Sequence, residues 1–491
     1  MGSQDYAFET AEGVKNWIGG AWVDAHSGRT LEVINPRHGK VMTTVADSGA
    51  EDVAAAVAAA QEAFPAWKAT PIKERAAVLY RVRELMLAQM DELAKTVSHE
   101  NGKTLAEAAA EVAKGIECVE FGCSLPNLSQ GGVTYVSRGV TCEIHHEPMG
   151  VCAGVVPFNF PFMVPLWMLP QALVSGNTFV LKPSEKTPIS GRHLANLFRE
   201  AGLPDGVLNL VNGGKEAVEA LTDHPDVRAQ AFVGSTRVAK LVYGRGAQTG
   251  RRMLCLGGAK NHLIVVPDAD VEMTAHDVVR SFTGCAGQRC MAASAMIAVG
   301  DVDTIIEQIV DKASQLTVGE DMGSIIDAGS VERITRYITQ AEEQGAKVLL
   351  DGRGASVEGA DGYWMAPTVL EVDTTMPAYT DEIFGPVLSI VRVKTLDEAL
   401  RIENAHEYAN GGSIYTTSGA TARYASQRIN AGMTGVNIGV PVPREPYSFG
   451  GWEHSKFGHG DITGEDGYNF WTRRRKITTK WALQPDETWM S

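Results

Sequence analysis

The chain has 491 residues, of which 44% are hydrophobic and 21% charged, and this length predicts two or three domains with substantial cores. Its 44 Lys and Arg residues against 59 Asp and Glu residues give a formal net charge of -15. This charge argues against a nucleic-acid partner or an anionic membrane surface, because each requires a basic face on the protein.

The first third of the sequence is predicted to be mainly helical after a short β segment in 17–34. Asp47 and Ser48 are candidate N-caps of a helix over 51–64, since both side chains can accept a hydrogen bond from the first turn. Pro65 is expected to end this helix, because proline lacks the backbone N–H that a helix interior requires.

Residues 130–148 alternate around Arg138-Gly139 in the manner of a β-hairpin. The following stretch, 149–181, contains no charged residue, but four prolines interrupt it. It is therefore predicted to form a buried strand, loop and helix rather than a membrane span. Near the C-terminus, the basic run Arg473–Lys476 is typical of a solvated strand edge.

From residue 151 onward, short β-branched runs alternate with helical segments, which predicts βαβ units and a parallel sheet. The predicted strands are 151–156, 178–182, 207–211, 229–234 and 252–256. Ligands of such sheets bind beyond the carboxyl ends of the strands. The residues at or just after these ends are Asn159, Lys182, Glu185, Gly234, Ser235 and Gly257.

Two of these strand ends have features of a nucleotide site. Gly234 and Ser235 come at a strand-to-helix turn, where backbone N–H groups can meet a pyrophosphate, although a tight turn with an N-cap explains the same pattern. Glu185 follows the second predicted strand, 178–182, where a carboxylate can accept hydrogen bonds from the hydroxyl groups of a ribose and repel a 2′-phosphate. An exposed loop pair with Lys182 is the alternative.

A second alternating region covers about 258–460 and contains Cys290 in the sequence GCAGQRCMAAS. An unpaired cysteine is most often a packed thiol. Residues outside this stretch must decide whether Cys290 does chemistry.

Six motifs occur in the order and spacing of the aldehyde dehydrogenase superfamily, and the resemblance covers essentially the whole chain. They are PFNFP (157–161), LKPSE (181–185), FVGS (232–235), LGGAKNH (256–262), GQRC (287–290) and EIFGP (382–386). GAKNH, QRCM and GGWEHSKFG (450–458) most resemble the methylmalonate-semialdehyde dehydrogenase branch, whose members acylate coenzyme A.

The resemblance implies an α/β aldehyde dehydrogenase-like fold with three parts. A parallel-sheet NAD-binding domain is expected over 1–128 and 149–257, and an α/β catalytic domain over 258–460. A small β oligomerisation element is expected from 129–148 and 461–491, giving a homodimer or homotetramer.

The resemblance also implies that Cys290 is the nucleophile toward an aldehyde, with Arg289 favouring the thiolate. The side-chain amide of Asn159 and the backbone N–H of Cys290 are the implied oxyanion hole. Contacts to NAD are implied for Val156, Phe158, Lys182, Glu185, Lys186, Gly234, Ser235, Gly257, Glu382 and Phe384.

Release of the acyl group depends on the position two residues before Gly-Gly. Hydrolytic members of the superfamily carry a glutamate there as a base for water, whereas this chain has Cys255. A thiol needs such a base much less than water does, so coenzyme A is the expected acceptor. A hydrolytic enzyme that uses another base remains the alternative, and Cys255 also departs from the usual residue of acylating relatives.

In the resembled branch two arginines bind the substrate carboxylate. Arg289 matches one of them, and Lys114 stands where the other is expected. An anionic semialdehyde such as malonate or methylmalonate semialdehyde is the expected substrate, with a sulfonate or phosphate aldehyde as the second choice.

The cysteine content bears on the compartment. Seven cysteines are an odd number, and the N-terminal residues contain no apolar leader segment. We therefore expect a cytoplasmic protein with free thiols. No cysteine pair is spaced with histidines as in a zinc site, so no bound metal is expected.

Overall fold

The structure is a computed structural model that describes residues 6–128 and 131–481. Its α-helices, in chain order, are α1 (Ala50–Ala69), α2 (Ile72–Ala88), α3 (Met90–Asn101), α4 (Leu105–Leu128), α5 (Met163–Val174), α6 (Pro188–Glu200), α7 (Lys215–Asp223), α8 (Thr236–Ala247), α9 (Val271–Thr283), α10 (Asp303–Ser314), α11 (Ala328–Glu343), α12 (Pro377–Thr380), α13 (Leu396–Asn404), α14 (Gly419–Ser426) and α15 (Gly464–Trp471).

The strands alternate with these helices over most of the chain. They are β1 (Asn16–Ile18), β2 (Ala21–Val23), β3 (Thr30–Asn35), β4 (Lys40–Ala46), β5 (Gly132–Ser137), β6 (Val140–Pro148), β7 (Val151–Val155), β8 (Thr178–Lys182), β9 (Leu208–Leu210), β10 (Val227–Val233), β11 (Arg252–Leu256), β12 (Asn261–Val265), β13 (Ala293–Val299), β14 (Lys347–Leu350), β15 (Thr368–Glu371), β16 (Val387–Val393), β17 (Tyr408–Ala409), β18 (Gly411–Tyr415), β19 (Met433–Val436), β20 (Trp452–Glu453), β21 (Lys456–Phe457) and β22 (Thr472–Lys480).

The first large sheet has the strand order β2-β1-β9-β8-β7-β10-β11-β21. Its five central strands, β9-β8-β7-β10-β11, are mutually parallel. This confirms the parallel sheet predicted from the alternating pattern. Both faces are covered by helices, and for this reason strands such as β7 and β8 are buried at every residue. The carboxyl ends of these strands meet at one edge of the sheet.

The second large sheet has the order β14-β15-β16-β13-β12-β18-β19 and is parallel except at β14. Its own apolar core includes Ile264, Ile297 and Leu370. The second α/β region expected from 258 onward is therefore present. The turn that precedes Cys290 connects α9 to β13 of this sheet.

A three-stranded antiparallel sheet, in the order β22-β6-β5, lies apart from the two large sheets. The hairpin predicted around Arg138-Gly139 is confirmed as β5 and β6, and the basic run Arg473–Lys476 is exposed on β22 as predicted. Residues 129–130 and 482–491, which belong to the expected oligomerisation element, lie outside the described residues.

Two expectations about the first helix are wrong. Helix α1 continues past Pro65 to Ala69, because the proline lies in the last turns and the buried Trp67 anchors the end through a hydrogen bond from its indole N–H to the Leu173 carbonyl at 3.0 Å. The N-cap is Gly49 rather than Asp47 or Ser48. The backbone N–H of Gly49 donates instead to the Asp52 carboxylate at 3.1 Å, which completes the first turn.

The described residues also bear on a membrane span, a metal site and the state of the cysteines. No helix in 6–128 or 131–481 is long and apolar enough to cross a membrane. No group of three or more His, Cys, Asp or Glu side chains in those ranges could hold a metal ion. All seven cysteines fall within the same ranges, and each is a free thiol.

Candidate active site

A cavity of about 1350 Å³ lies at the carboxyl ends of β7, β8, β10 and β11 and extends to the Cys290 loop. This volume exceeds the ~300–1,000 Å³ that is usual for small-molecule sites, so a large ligand and a small one can share it. It is lined by all ten residues expected to contact the cofactor, Val156, Phe158, Lys182, Glu185, Lys186, Gly234, Ser235, Gly257, Glu382 and Phe384, and by Asn159 and Cys290.

The loop before Cys290 has an unusual backbone. A short 3₁₀ turn spans Gly284–Gly287, and within it Cys285 and Ala286 both have φ of 52°, a left-handed conformation that costs non-glycine residues on the order of 1 kcal/mol each. Gly287 has φ of 69°, and a Cβ there would lie 2.1 Å from the Gly385 carbonyl oxygen. The glycine thus lets the Cys290 loop pack directly on the EIFGP segment.

Cys290 is half-buried, and its carbonyl is fixed by two side-chain amides. Asn261 donates to the Cys290 oxygen at 2.8 Å and Asn410 at 3.1 Å. Burial raises the pKa of the Cys290 thiol to about 12, and the carboxylate of Glu382 adds to the rise. Arg289 and the backbone N–H groups of Cys290 and Met291 act in the opposite direction but do not outweigh burial. Without bound ligands, the Cys290 side chain is therefore a protonated thiol. The expected activation by Arg289 offsets only part of the rise in its pKa.

The structure brings Asn159 to the Cys290 loop. The buried side-chain amide of Asn159 donates to the carbonyl of Gln288, two residues before the cysteine, at 2.9 Å. An amide nitrogen carries two hydrogens. One N–H of Asn159 therefore holds the loop while the second can serve an oxyanion.

Glu382 reaches the cavity from the loop between α12 and β16. Its carboxylate accepts the backbone N–H of Ala259 at 2.9 Å, and a Cβ on Gly258 would lie 2.1 Å from the carboxylate. Burial raises the pKa of the Glu382 carboxyl to about 7, against the lowering effects of the Ala259 N–H and the cations Lys260 and Arg333. Glycine at 258 is therefore what allows the carboxylate to lie against this turn.

Phe384 adds an aromatic wall to the same loop. Its φ of 54° is a strained left-handed value for a bulky residue. The ring contacts Phe158 edge to face, with 6.1 Å between centroids. The two predicted cofactor residues therefore join the first sheet's loop to the second sheet's loop across the cavity.

Three charged side chains line the far part of the cavity, beyond β8. The Lys182 ammonium donates to the Glu185 carboxylate at 3.2 Å and to the Gly213 carbonyl at 2.9 Å. Burial raises the pKa of the Glu185 carboxyl, but the Lys182 and Lys186 ammonium groups and backbone hydrogen bonding bring it below its usual value. Lys186 pairs with Asp327. Glu185 is thus an anion in the cavity at neutral pH.

At the end of β10, Ser235 is the N-cap of helix α8 with an extended backbone, and its side chain makes no capping hydrogen bond. The neighbouring Thr236 hydroxyl accepts the N–H of Gly258 at 2.7 Å, which ties this turn to the one after β11. A helix N-terminus whose first N–H groups face a cavity is suited to a phosphate.

Comparison with known proteins identifies the family of this chain. Residues 22–477 match the aldehyde dehydrogenase family. The chain belongs to the aldehyde dehydrogenase family. It is therefore an enzyme that oxidises aldehydes, and the resemblance seen in its motifs is confirmed.

Several of its relatives carry semialdehyde names. Malonate-semialdehyde dehydrogenase 1 of Geobacillus thermodenitrificans (strain NG80-2) is 45% identical over 477 residues, which cover 95% of this chain and 99% of that protein. The crystal structure of methylmalonate-semialdehyde dehydrogenase from Oceanimonas doudoroffii is 42% identical, covers 96% of this chain and 99% of that one, and has a TM-score of 0.95.

A third similar protein, from Sinorhizobium meliloti 1021, has a crystal structure complexed with NAD. It is 41% identical to the present chain, covers 97% of this chain and 99% of its own, and has a TM-score of 0.95. The fold predicted for this chain, an α/β aldehyde dehydrogenase fold, is therefore confirmed by sequence and by structure.

The two cations expected to bind the substrate lie outside the lining of the cavity. The Arg289 guanidinium donates to the Ser281 and Arg280 carbonyls at 2.7 and 3.2 Å, at the C-terminal end of α9. Lys114 donates to the carboxylates of Glu117 and Glu445 at 2.9 and 2.8 Å. Although burial lowers the pKa of the Lys114 ammonium, these carboxylates raise it above its usual value. Both side chains are thus already engaged by groups of the protein.

Cys255 lies on β11 and is fully buried in an apolar cluster with Met253 and Phe232. Burial raises the pKa of its thiol well above the usual value. The side chain is not part of the cavity lining, so the enzyme has neither a carboxylate nor an available thiolate at this position.

Sequence reasoning missed several residues that contact the catalytic loops. Lys103 and Glu111 form an ion pair at 2.6 Å, with their side chains 1% and 0% exposed, directly beneath the Asn159 loop. Asn101 and Glu107 also reach these loops. Nothing in the sequence distinguishes these side chains from solvent-exposed charges at the start of a helix, because tertiary packing of α4 on α5 buries them.

Proposed function

We propose that the enzyme is an NAD-dependent dehydrogenase of an anionic semialdehyde, such as malonate or methylmalonate semialdehyde, and that it transfers the acyl group to coenzyme A. The observation that carries the proposal is the meeting of Cys290 and Asn159 in one large cavity, beside a Cys255 that cannot activate water. The semialdehyde names of the similar proteins support the substrate class.

In the proposed mechanism the Cys290 sulfur, as thiolate, attacks the aldehyde carbon and forms a thiohemiacetal. The second amide N–H of Asn159 and the backbone N–H of Cys290 stabilise its oxyanion, since both belong to loops that the Asn159–Gln288 hydrogen bond holds together. Loss of hydride from this adduct leaves an acyl thioester on Cys290. The attack requires the thiol proton to leave, which Arg289 and the nearby backbone N–H groups favour.

The residues that line the cavity fit NAD, and NAD, when bound, is the hydride acceptor. The free capping position at Ser235 and the N-terminus of α8 suit a pyrophosphate, and the anionic Glu185 suits the hydroxyl groups of an adenosine ribose. Glu382, which lines the cavity together with Cys290, is the proposed hydrogen-bond acceptor for the hydroxyl groups of the second ribose. The NAD complex of the Sinorhizobium meliloti protein supports this assignment.

Wild-type enzyme is expected to reduce NAD at least tenfold more efficiently than NADP, and Glu185→Gln is expected to reduce that preference about five- to tenfold. The reason is loss of repulsion between the Glu185 carboxylate and a 2′-phosphate, a charge contact worth on the order of 1 kcal/mol. The measurement is kcat/KM for each cofactor from NADH or NADPH absorbance, with malonate semialdehyde and with propanal, which lacks the carboxylate.

Glu216→Gln is the matched control, since the Glu216 carboxylate pairs with Arg29 away from the cavity. Equal use of NAD and NADP by wild type would overturn the role of Glu185. Equal efficiency with malonate semialdehyde and propanal would overturn the anionic substrate class.

Lys114 and Arg289 are the proposed partners of the substrate anion. The Glu445 carboxylate now occupies Lys114, so a substrate carboxylate has to replace Glu445 as the partner of the ammonium. Lysine lacks the planar fork of arginine and holds a single oxygen at a time, which makes such an exchange compatible with its geometry.

Transfer to coenzyme A follows from the chemistry of the acceptor. Water has a pKa far above that of a thiol, about 8.5, and therefore needs a base beside the thioester much more than a thiol does. At the position where hydrolytic members carry their base, this enzyme has the buried and protonated Cys255. A thiol acceptor is therefore favoured over water.

The three-stranded sheet is the proposed oligomerisation element. The proposed NAD-binding domain comprises residues 1–128 and 149–257, and the proposed catalytic domain comprises residues 258–460. Strand β5 is exposed at all six residues, and the side chains of Val133 and Tyr135 are 65% and 82% exposed. A hairpin with apolar exposed residues is stabilised by packing on another surface, which supports a homodimer or homotetramer. The proposed location, the cytoplasm, rests on the cysteine content alone.

A further inference from the structure

The segment from the end of α3 through the first turns of α4 contacts both loops of the active site. Four of its side chains, Asn101, Lys103, Glu107 and Glu111, hydrogen-bond to backbone groups of 158–163 and 285. We call these four residues the loop clamp. No member of the loop clamp lines the cavity, so its effect on a bound substrate must pass through the loops it holds.

The loop clamp fixes both peptide groups that flank Asn159. The amide of Asn101 donates to the Phe158 carbonyl at 2.9 Å, and the Lys103 ammonium donates to the Asn159 carbonyl at 2.7 Å. Since each peptide group is planar, anchoring the groups on both sides of a Cα sets the direction of its side chain. The side-chain amide of Asn159 is thereby aimed at the carbonyl of Gln288.

Glu111 holds the other end of the same loop. One of its carboxylate oxygens accepts the N–H groups of Phe162 and Met163 at 2.8 and 3.1 Å, at the beginning of α5. The other oxygen accepts the Lys103 ammonium at 2.6 Å. Each of these hydrogen bonds joins a charged group of the pair to a backbone group or to its counter-charge, so the pair is well solvated by the protein although it is fully buried.

Glu107 extends the loop clamp to the nucleophile's loop. Its carboxylate accepts the N–H of Cys285 at 2.5 Å, at the first left-handed residue of the turn that leads to Cys290. Its second oxygen accepts the N–H and hydroxyl of Thr104 at 3.0 and 3.1 Å, which fixes the carboxylate at the start of α4. One segment thus sets the position of Asn159 relative to Cys290.

We propose that the buried pair Lys103–Glu111, assisted by Asn101 and Glu107, is a positioning device that places the Asn159 amide for oxyanion stabilisation. The inference rests on the proposed roles of Asn159 and Cys290. Buried ion pairs are often no more stabilising than apolar residues of the same volume. Stability alone therefore does not account for two charges buried beneath this loop, whereas control of loop position does.

The test is single-turnover hydride transfer in Lys103→Met/Glu111→Gln, a double variant that leaves no unpaired buried charge. Enzyme in excess of malonate semialdehyde, with saturating NAD, is followed by NADH absorbance, so the rate is independent of how the acyl group leaves. We expect a rate about 100-fold below wild type with all the aldehyde still converted, because a shift of ~1 Å at an oxyanion donor has an effect of this size.

A second readout separates the oxyanion hole from the thiol. Alkylation of Cys290 by iodoacetamide needs no oxyanion hole, so its rate is expected to stay within twofold of wild type. Glu403→Gln is the matched control for charge removal, since Glu403 is 3% exposed and accepts the N–H of Asn430 away from the cavity. It is expected to leave the single-turnover rate unchanged.

Three results would overturn the proposal. They are a single-turnover rate within threefold of wild type, a reduced amplitude at an unchanged rate, and a parallel loss of alkylation. If the double variant does not fold, Asn101→Ala replaces it, with an expected tenfold loss of rate, and a wild-type rate in that variant counts against the proposal. Failure of the proposed function is distinct: with the wrong substrate class, wild type itself would form no NADH from malonate semialdehyde, and without transfer to coenzyme A, single-turnover NADH formation would be unchanged.

Discussion

Replacing Cys290 with alanine is expected to reduce aldehyde-dependent NADH formation by about 10⁴-fold or more, because no other group can form the thiohemiacetal. NAD affinity is expected to remain within a few-fold of wild type, since Lys182, Glu185 and Ser235 lie on other loops. The measurements are steady-state turnover with malonate semialdehyde and NAD titration by calorimetry.

Cys123→Ala is the control, because Cys123 is a buried thiol on α4 outside the cavity. Turnover of Cys290→Ala within tenfold of wild type would contradict the nucleophile assignment.

The pKa of about 12 of the Cys290 thiol also predicts a pH dependence. In wild type without ligands, alkylation of Cys290 is expected to accelerate as the pH rises from 7 to 9, because the thiolate fraction grows.

Replacing Asn159 with alanine is expected to lower the rate of hydride transfer by about 10²–10³-fold, equivalent to roughly 3–4 kcal/mol, as for loss of one oxyanion-hole donor. Alkylation of Cys290 is expected to change little, since the thiol keeps its backbone surroundings. Single-turnover NADH formation with excess enzyme measures the effect on the chemical step.

Asn159→Asp is the matched variant, because aspartate has the shape of asparagine but brings a negative charge to the oxyanion. We expect it to be at least as slow as Asn159→Ala. Recovery of activity in Asn159→Asp would show that Asn159 fills space and does not stabilise charge.

The parallel sheet and the position of the cavity were predictable from the sequence. Runs such as 151–155 and 178–182 are largely apolar and buried at every residue because both faces of the sheet are covered, and parallel strands place all their carboxyl ends at one edge. This geometry brings Lys182, Ser235 and Gly257 together without any knowledge of side-chain contacts.

The behaviour of individual charges was not predictable in the same way. Arg289 adjoins Cys290 in sequence, yet its guanidinium turns toward the carbonyls of α9, and burial controls the pKa of the thiol. Lys103 and Glu111 are eight residues apart in the sequence KTLAEAAAE, and only the packing of α4 on α5 makes them a buried pair. The local sequence does not predict which charged side chains tertiary packing will bury.

Acyl transfer to coenzyme A is tested most directly by rapid mixing of wild-type enzyme with NAD and malonate semialdehyde, with and without coenzyme A. Without coenzyme A, we expect a burst of about one NADH per subunit followed by slow turnover, because the thioester on Cys290 accumulates when Cys255 provides no base for water. With coenzyme A, we expect fast and sustained turnover. Rapid, sustained NADH formation in the absence of any thiol acceptor would contradict acyl transfer and indicate a hydrolytic enzyme.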